Sequence, residues 1–320
     1  MTGHKNKHIL STLLFVVFLA GIIAYFVFYF DFYAFFDKIK ANRFEPETEV
    51  ISLEENLNLT ERGRDLYYAL NPKIDEAEKF NQECKNVTGV ESGFLLGCYL
   101  SDRGNEKIIV FNAGSNATEE QKQLFDYDSS KKVTMVHELL HGAYERRHWY
   151  QSREMAKELR QVSKQIIEGC KTSTPLHAKD CLTIKTDLKN YSKITESELY
   201  ARLGSEIQLN KLPPNLAQDF QKYLTDTTTI VEAYAKNREQ EKNIKTNLEN
   251  EKKKLDQEKN NVEYLTAQYY SHPTYSQYYA AKIAIDHYNQ QVESYNNLVK
   301  LYNSTFIEQL DSKTAETITE

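Results

Sequence analysis

His137 and His141 stand four residues apart in the stretch His137-Glu138-Leu139-Leu140-His141. In an α-helix, positions i and i+4 lie on one face about a turn apart, so both imidazoles can reach one metal ion at roughly 2.0–2.1 Å. Glu138 projects beside that point and can take a proton from an attacking water, then deliver it to a leaving amine. These residues suit metal-assisted hydrolysis of a peptide bond, with Zn2+ as the expected ion. With 8 histidines in 320 residues, the bare pattern arises by chance in roughly one or two of every hundred such chains, so its surroundings must carry the argument. Apolar Val133, Met135 and Val136 precede it, and Gly142-Ala143 follow as small residues expected to leave room around an ion. The strand-like run Lys107-Ile108-Ile109-Val110-Phe111 lies upstream and is of the kind that holds an extended peptide by strand addition.

A catalytic zinc keeps three protein ligands and one open position, so a third ligand is required. An extended motif with a third histidine would need Gly at 144 and His at 147; Tyr144 and Arg147 stand there, which excludes that class. His148 shares the face of His141 but lies about two turns along, too far to bind the same ion. The remaining common arrangement takes a glutamate from a later helix, and Glu196, Glu198 and Glu206 are on offer. Glu198 is the expected ligand: it precedes Leu199-Tyr200-Ala201 and shares its flank with Gly204, whose lack of a side chain lets the two helices pack closely. Glu206 is the alternative, as a ligand or as a partner that orients a ligating histidine. Tyr144 and Tyr200 are candidates for stabilising an oxyanion.

The elements that must position these residues are mostly helical. Ser129 or Ser130 can cap a helix running through Val133, Val136, Leu140 and Tyr144 to about Trp149, and a further long helix reaches Ile167. Thr195 can cap a helix containing Glu198 to Gln208, which Asn210-Lys211-Leu212-Pro213-Pro214 ends. Helical spacing also occurs around Leu57 to Leu70. Phe94-Leu95-Leu96-Gly97-Cys98-Tyr99-Leu100 and the run at 107–111 are separated by turn-forming residues and read as a β-hairpin. Beyond Thr227, Ile244, Leu248, Leu255, Val262 and Leu265 fall on a heptad spacing, with Glu251 and Glu258 at two core-type positions. Ser271-His272-Pro273 interrupts it, and Ile285, Tyr288, Val292, Tyr295, Val299, Tyr302 and Phe306 resume it, which predicts an antiparallel coiled-coil hairpin. The fold class is therefore mainly α with a small β-hairpin or sheet, an α+β body.

Ile9 opens and Phe30 closes an uninterrupted run of apolar and small residues, 9–30, that is long enough to cross a bilayer as a helix and ends in interfacial aromatics. It is longer than the apolar core of a cleavable signal. Lys5 and Lys7 before the run are opposed by Lys38, Lys40 and Arg43 after it, so charge leaves the orientation open. The four cysteines form no Cys-x-x-Cys motif; Cys84 with Cys98 and Cys170 with Cys181 are the natural local disulfides, which places the body outside the cytoplasm. The expected organisation is an anchor and stem over 1–44, a metallopeptidase-like domain over 45–226, a helical hairpin over 227–312 and a disordered tail over 313–320. A net charge of −6 supplies no broad basic surface, which argues against nucleic acid as a partner.

On these residues the chain resembles the gluzincin zinc metallopeptidases, in which a His-Glu-x-x-His helix is completed by a glutamate on a downstream helix. More closely, it is similar to a family of membrane-anchored metallopeptidase-like proteins from small-genome bacteria. The similarity rests on Leu96-Gly97-Cys98-Tyr99, on the stretch from Val133 to Arg146, on Glu198-Leu199-Tyr200-Ala201-Arg202-Leu203-Gly204-Ser205-Glu206, on Leu212-Pro213-Pro214-Asn215-Leu216 and on the tyrosine- and asparagine-rich second hairpin helix. The chain departs from the best-known gluzincin membrane proteases in carrying Arg202, rather than Asp, after Ala201. The resemblance implies a single-pass, zinc-dependent peptidase acting on peptides or proteins, and names no substrate. The competing expectation is a cell-surface coiled-coil interaction protein whose metal site is structural or vestigial.

Overall fold

The computed structural model of the protein describes residues 15–19, 21, 31–84, 96–102, 105–112, 114–115, 117–147, 149–171 and 195–303. At its centre is helix α6, Tyr127–Glu145, in which all residues from 133 to 140 are buried. Its first turn is held by Asp126, whose carboxylate accepts from the Ser129 amide at 3.1 Å and the Ser129 hydroxyl at 2.9 Å. The cap is thus the aspartate and not Ser129 or Ser130. An aspartate satisfies the open amides of a first turn as well as serine does, and it also suits the positive end of the helix dipole. The helix stops at Glu145 instead of running to Trp149, because Arg146 turns inward to ion pairs described below; α7, Trp149–Lys171, then starts afresh.

One side of α6 faces a three-stranded sheet of order β1-β3-β2, with β1 at Lys73–Asp75, β2 at Gly97–Asp102 and β3 at Asn105–Phe111. β2 and β3 form the expected antiparallel hairpin, Gly97 opposite Val110 and Asp102 opposite Asn105. β1 adds in parallel on the other side, Lys73 beside Ile109. The run at 107–111 is therefore the central strand, which explains its unbroken Ile108-Ile109-Val110, and it has no free edge; β1 and β2 are the outer strands. A disulfide joins Cys98 in β2 to Cys84 at the end of α4, Ala77–Cys84, with the Cα atoms 6.0 Å apart. The companion pairing of Cys170 with Cys181 involves a cysteine, Cys181, that lies outside the described residues.

Before the sheet come α1 at Phe32–Ala41, α2 at Thr48–Glu54 and α3 at Glu61–Ala69. The helical stretch expected around 57–70 begins only at Glu61, since Thr60 accepts from the Gly63 amide at 2.9 Å while its own amide donates to the Tyr223 carbonyl. The apolar residues of that stretch, Leu57, Leu66 and Leu70, are nonetheless core. α1 packs along α3, so the segment expected as a stem is part of the body. The short helix α5, Glu119–Leu124, leads into α6. α8, Glu196–Glu206, lies on the other side of α6, followed by α9, Pro214–Phe220.

The chain ends in two long helices, α10 at Thr228–Ser271 and α11 at Tyr275–Tyr302, packed as a hairpin. The start of α10 belongs to the body: Ile230, Tyr234 and Ile244 are buried there. Farther along, positions 248, 251, 255, 258 and 262 are the shielded ones, the 3-4 seam expected of a helix pair with both glutamates included, and 265, 266, 268 and 269 are shielded toward the helix end. On α11 the seam runs through Ala281, Ala284, Tyr288 and Tyr295, whereas Ile285 is exposed. The small alanines let the two backbones approach, and that displaces the larger Ile285 from the interface. Phe306 and the tail at 313–320 lie outside the described residues. No helix among the described residues is long and apolar enough to cross a membrane, and most of the run 9–30 falls outside them.

Candidate metal centre

Helices α6 and α8 bring the expected ligands together. The Nε2 atoms of His137 and His141 are 3.3 Å apart, Glu198 Oε2 lies 3.3 Å from His141 Nε2, and it lies 3.4 Å from His137 Nε2. A tetrahedral ion with bonds of roughly 2.0–2.1 Å holds its ligand atoms about 3.3–3.4 Å from one another. Direct hydrogen bonds to a carboxylate would draw the atoms closer, to roughly 2.7–2.9 Å. The near-equilateral triangle therefore matches the spacing of ligands around a tetrahedral ion, and it is a His/Cys/Asp/Glu group able to hold an ion among the described residues. His141 and Glu198 retain 13% and 19% side-chain exposure, so the open side of the triangle faces solvent, while His137 is fully buried.

Each ligand is held from behind. His141 Nδ1 lies 2.8 Å from Ser197 Oγ. His137 Nδ1 lies 3.4 Å from Ser205 Oγ, whose proton is committed to the Ala201 carbonyl at 2.8 Å. Ser205 can therefore only accept, which places the His137 proton on Nδ1 and the lone pair on Nε2, where an ion needs it. Glu198 sits in the first turn of α8, and Thr195 caps that turn by accepting from the Glu198 amide at 3.2 Å. Arg202, one turn on, donates to Glu198 Oε1 at 2.6 Å and leaves Oε2 for the ion. Arg202 thus anchors Glu198. Gly204 permits the approach of the two helices: a Cβ there would fall 2.5 Å from Leu140 Cδ1 and 2.6 Å from Phe220 Cε1.

Burial disfavours charge on both Glu198 and His137, yet their mutual attraction dominates. Glu198 is held far below the usual carboxylate range by His137, His141 and Arg202, and His137 is raised by Glu198 and Glu138. The other two glutamates of α8 are elsewhere. Glu196 pairs with Arg160 at 2.7 Å. Glu206 is buried, its carboxyl pushed up by desolvation, with Tyr234 as a hydrogen-bond partner, and it stands outside the ligand triangle.

Glu138 is fully buried between α6 and β2. A Cβ on Gly97 would come within 2.9 Å of Glu138 Cγ and Oε1 and 2.6 Å of Thr134 Cγ2, so the β2 backbone runs directly over the carboxylate. Because the Leu96 carbonyl accepts from the Phe111 amide, the alternation of an antiparallel pair turns the peptide groups of Gly97, Tyr99 and Ser101 away from β3. An outward row of donors and acceptors thus passes the metal position. The Tyr99 ring lies parallel to His141, 8° between planes with centroids 6.3 Å apart, and its hydroxyl donates to Glu106 at 2.7 Å.

Other expectations about the surroundings change. Gly142 faces Leu70 and Ala143 is core, so these small residues serve helix packing rather than space around an ion. Tyr200 is fully buried, donates to Asp219 at 2.9 Å and lies beneath the Arg147 guanidinium, so its hydroxyl is committed away from the triangle. Tyr144 packs against Tyr200 and Arg147. His148 is outside the described residues. Gly97, Tyr99, Ser197, Ser205 and Arg202 carry the geometry without having been singled out for it. Only the repeated Ser-Glu pairs at 197–198 and 205–206 hinted at hydroxyls beside the ligands.

No family model, curated protein or solved structure matches the chain.

Proposed function

We propose that the protein is a membrane-anchored zinc metallopeptidase, with His137, His141 and Glu198 as ligands and Glu138 as general base. The observation that carries this reading is the 3.3–3.4 Å ligand triangle, two of whose members share a helix with a buried carboxylate. Two imidazoles and one carboxylate are a donor set that zinc accepts readily in hydrolytic sites. A bound zinc would supply Lewis acidity for a carbonyl oxygen and an acidified water at its open position. Only three metal-binding side chains converge among the described residues, whereas a structural zinc closes its fourth position with protein. That favours the catalytic reading over the interaction-protein alternative.

The chain's own residues supply the rest. An extended polypeptide can pair with the outward peptide groups of Gly97, Tyr99 and Ser101, which lays its carbonyls across the open side of the triangle. Glu138, one residue from His137, takes the proton of the attacking water and returns it to the leaving amine. The Cys84–Cys98 disulfide supports an oxidising compartment for the body, and the apolar run 9–30 supports a single-pass anchor.

Metal titration of the full-length protein in detergent tests the site. One zinc per chain is expected, with at least about 100-fold weaker binding in Glu198→Ala and in His141→Ala. Unchanged affinity in Glu198→Ala would remove Glu198 from the ligand set.

A further inference from the structure

We infer that α1 rests its aromatic face on the bilayer surface and holds the metal centre at a fixed, short height above it, so that the polypeptides cut are those presented close to the membrane. This rests on the anchor and peptidase readings above and adds the substrate class to them.

α1 begins at Phe32, capped by Asp31, directly after the run 9–30 ends. Its two faces differ in kind. Asp37 is 2% exposed and, with Ala34 and Ala41, faces the body, while Phe32, Tyr33, Phe35 and Phe36 are 42% to 55% exposed. Exposed aromatics at the end of an apolar run suit the headgroup region, where a ring finds both apolar and polar surroundings. Among surfaces that could cover them, the bilayer is the one to which the chain's own connectivity brings them.

α1 is not a flexible tether. Asp37 accepts from Arg62 at 2.7 Å and from Arg146 at 3.0 Å, and Arg146 immediately follows the helix that carries both histidines. Arg146 also grips Glu106 in β3, to which Lys40 of α1 adds a contact at 3.4 Å. Both carboxylates and the guanidinium are shielded from water, so these pairs are directional and weakly screened by salt. The path from Asp31 along α1 to Asp37, across to Arg146 and back along α6 to His141 is on the order of 30 Å by helix rise and side-chain reach. About ten residues of extended polypeptide span that distance. The site therefore reaches a segment next to the membrane and misses one held rigidly far above it.

Two readouts test this on the full-length protein reconstituted in vesicles of phosphatidylcholine and phosphatidylglycerol. The first adds a reporter by Phe36→Trp and uses acyl-brominated lipid as quencher, with Tyr270→Trp at the hairpin tip as control. The added emission at 36 is expected to fall about twofold and that at 270 to be unaffected; an unquenched reporter at 36 overturns the docking. The second places one mixed-sequence cleavable segment either directly after the membrane helix of a model substrate or above a rigid helical spacer of about 60 residues, roughly 90 Å. The near segment is expected to be cut at least about tenfold faster, and a Gly/Ser insert of about 120 residues between Phe30 and Asp31, with a root-mean-square reach of roughly 60 Å, is expected to reduce that ratio to about one. Equal rates in the unmodified protein overturn the fixed height while leaving the peptidase reading intact. Failure to cut either substrate or the free segment overturns the peptidase reading, and the quenching result then stands alone on the docking.

Discussion

Arg202 holds one oxygen of Glu198 and leaves the other for an ion, while Ser197 and Ser205 set the imidazoles from behind. Such supporting contacts orient ligands, so Ser197→Ala and Ser205→Ala are each expected to weaken zinc binding by about 10-fold or more without unfolding the protein, as competition with a chromogenic chelator would show. Protons compete for the same atoms. In the metal-free protein His137 titrates above its ordinary value because Glu198 and Glu138 favour its charged form over the opposition of burial. Zinc needs the neutral form, so affinity is expected to fall as pH drops through that raised value, and a chelator assay across pH reads the loss directly. Gly97→Ala probes the other side of the site. Its Cβ would meet Thr134 and Glu138, so we expect at least about a tenfold loss of peptidase rate and about 1–3 kcal/mol of stability, with zinc content unchanged. At this scale the sequence was legible wherever spacing along one helix decides the geometry, as for His137 and His141. Glu198 was legible through helix-to-helix packing, by way of Gly204. Gly97, Tyr99 and the two serines were not, because their roles exist only after β2 and α8 have been laid on α6.

Among the elements, the short strand β1 changes the most. Three residues, Lys73–Asp75, carry no alternation to betray a strand, yet their pairing turns β3 into a central strand and leaves β2 as the edge beside Glu138. The hairpin itself was legible from its two apolar runs; which of its strands is the outer one was not. The ion network joining α1, α3, α6 and β3 was equally hidden, since Asp37, Glu106 and Arg146 are far apart in sequence and each reads as a surface charge. Arg146→Met leaves two shielded carboxylates without their shared cation, and about 3–5 kcal/mol of stability is expected to be lost in chemical denaturation. The pH response has a defined sign. Burial opposes the charge on Glu106, but Arg146, Tyr99 and Lys40 outweigh it and hold the carboxyl below its ordinary 4.5. A group depressed in the folded chain stabilises the fold above its unfolded value, and that contribution is lost as pH falls through the folded value. Unfolding is therefore expected to set in below about pH 4.5, with a shallower acid dependence in Glu106→Gln, which is already less stable at neutral pH.

Across the whole molecule, the helix bearing both histidines is held between a small sheet and a second helix, with α1 packed along α3 and the two long C-terminal helices paired as a hairpin. Among the described residues, the buried positions of α10 lie in its first part, up to Ile244, and the shaft beyond Leu248 packs chiefly on α11. Replacing residues 252–291 by a short turn is thus expected to leave zinc affinity within about twofold of the parent. The heptad spacing foretold this hairpin because a two-helix seam is a purely local pattern. Its attachment to the body through the buried Ile230, Tyr234 and Ile244 was not foretold, since those residues look like any apolar turn of α10. The proposed zinc site and the carboxylate beside it are tested most directly by hydrolysis of a broad peptide library by the zinc-loaded full-length protein beside Glu138→Gln. Equal zinc content is expected in both, with at least about a 100-fold lower rate in the variant. Zinc-loaded wild type that cleaves nothing, or a Glu138→Gln protein as fast as wild type, would contradict the peptidase reading.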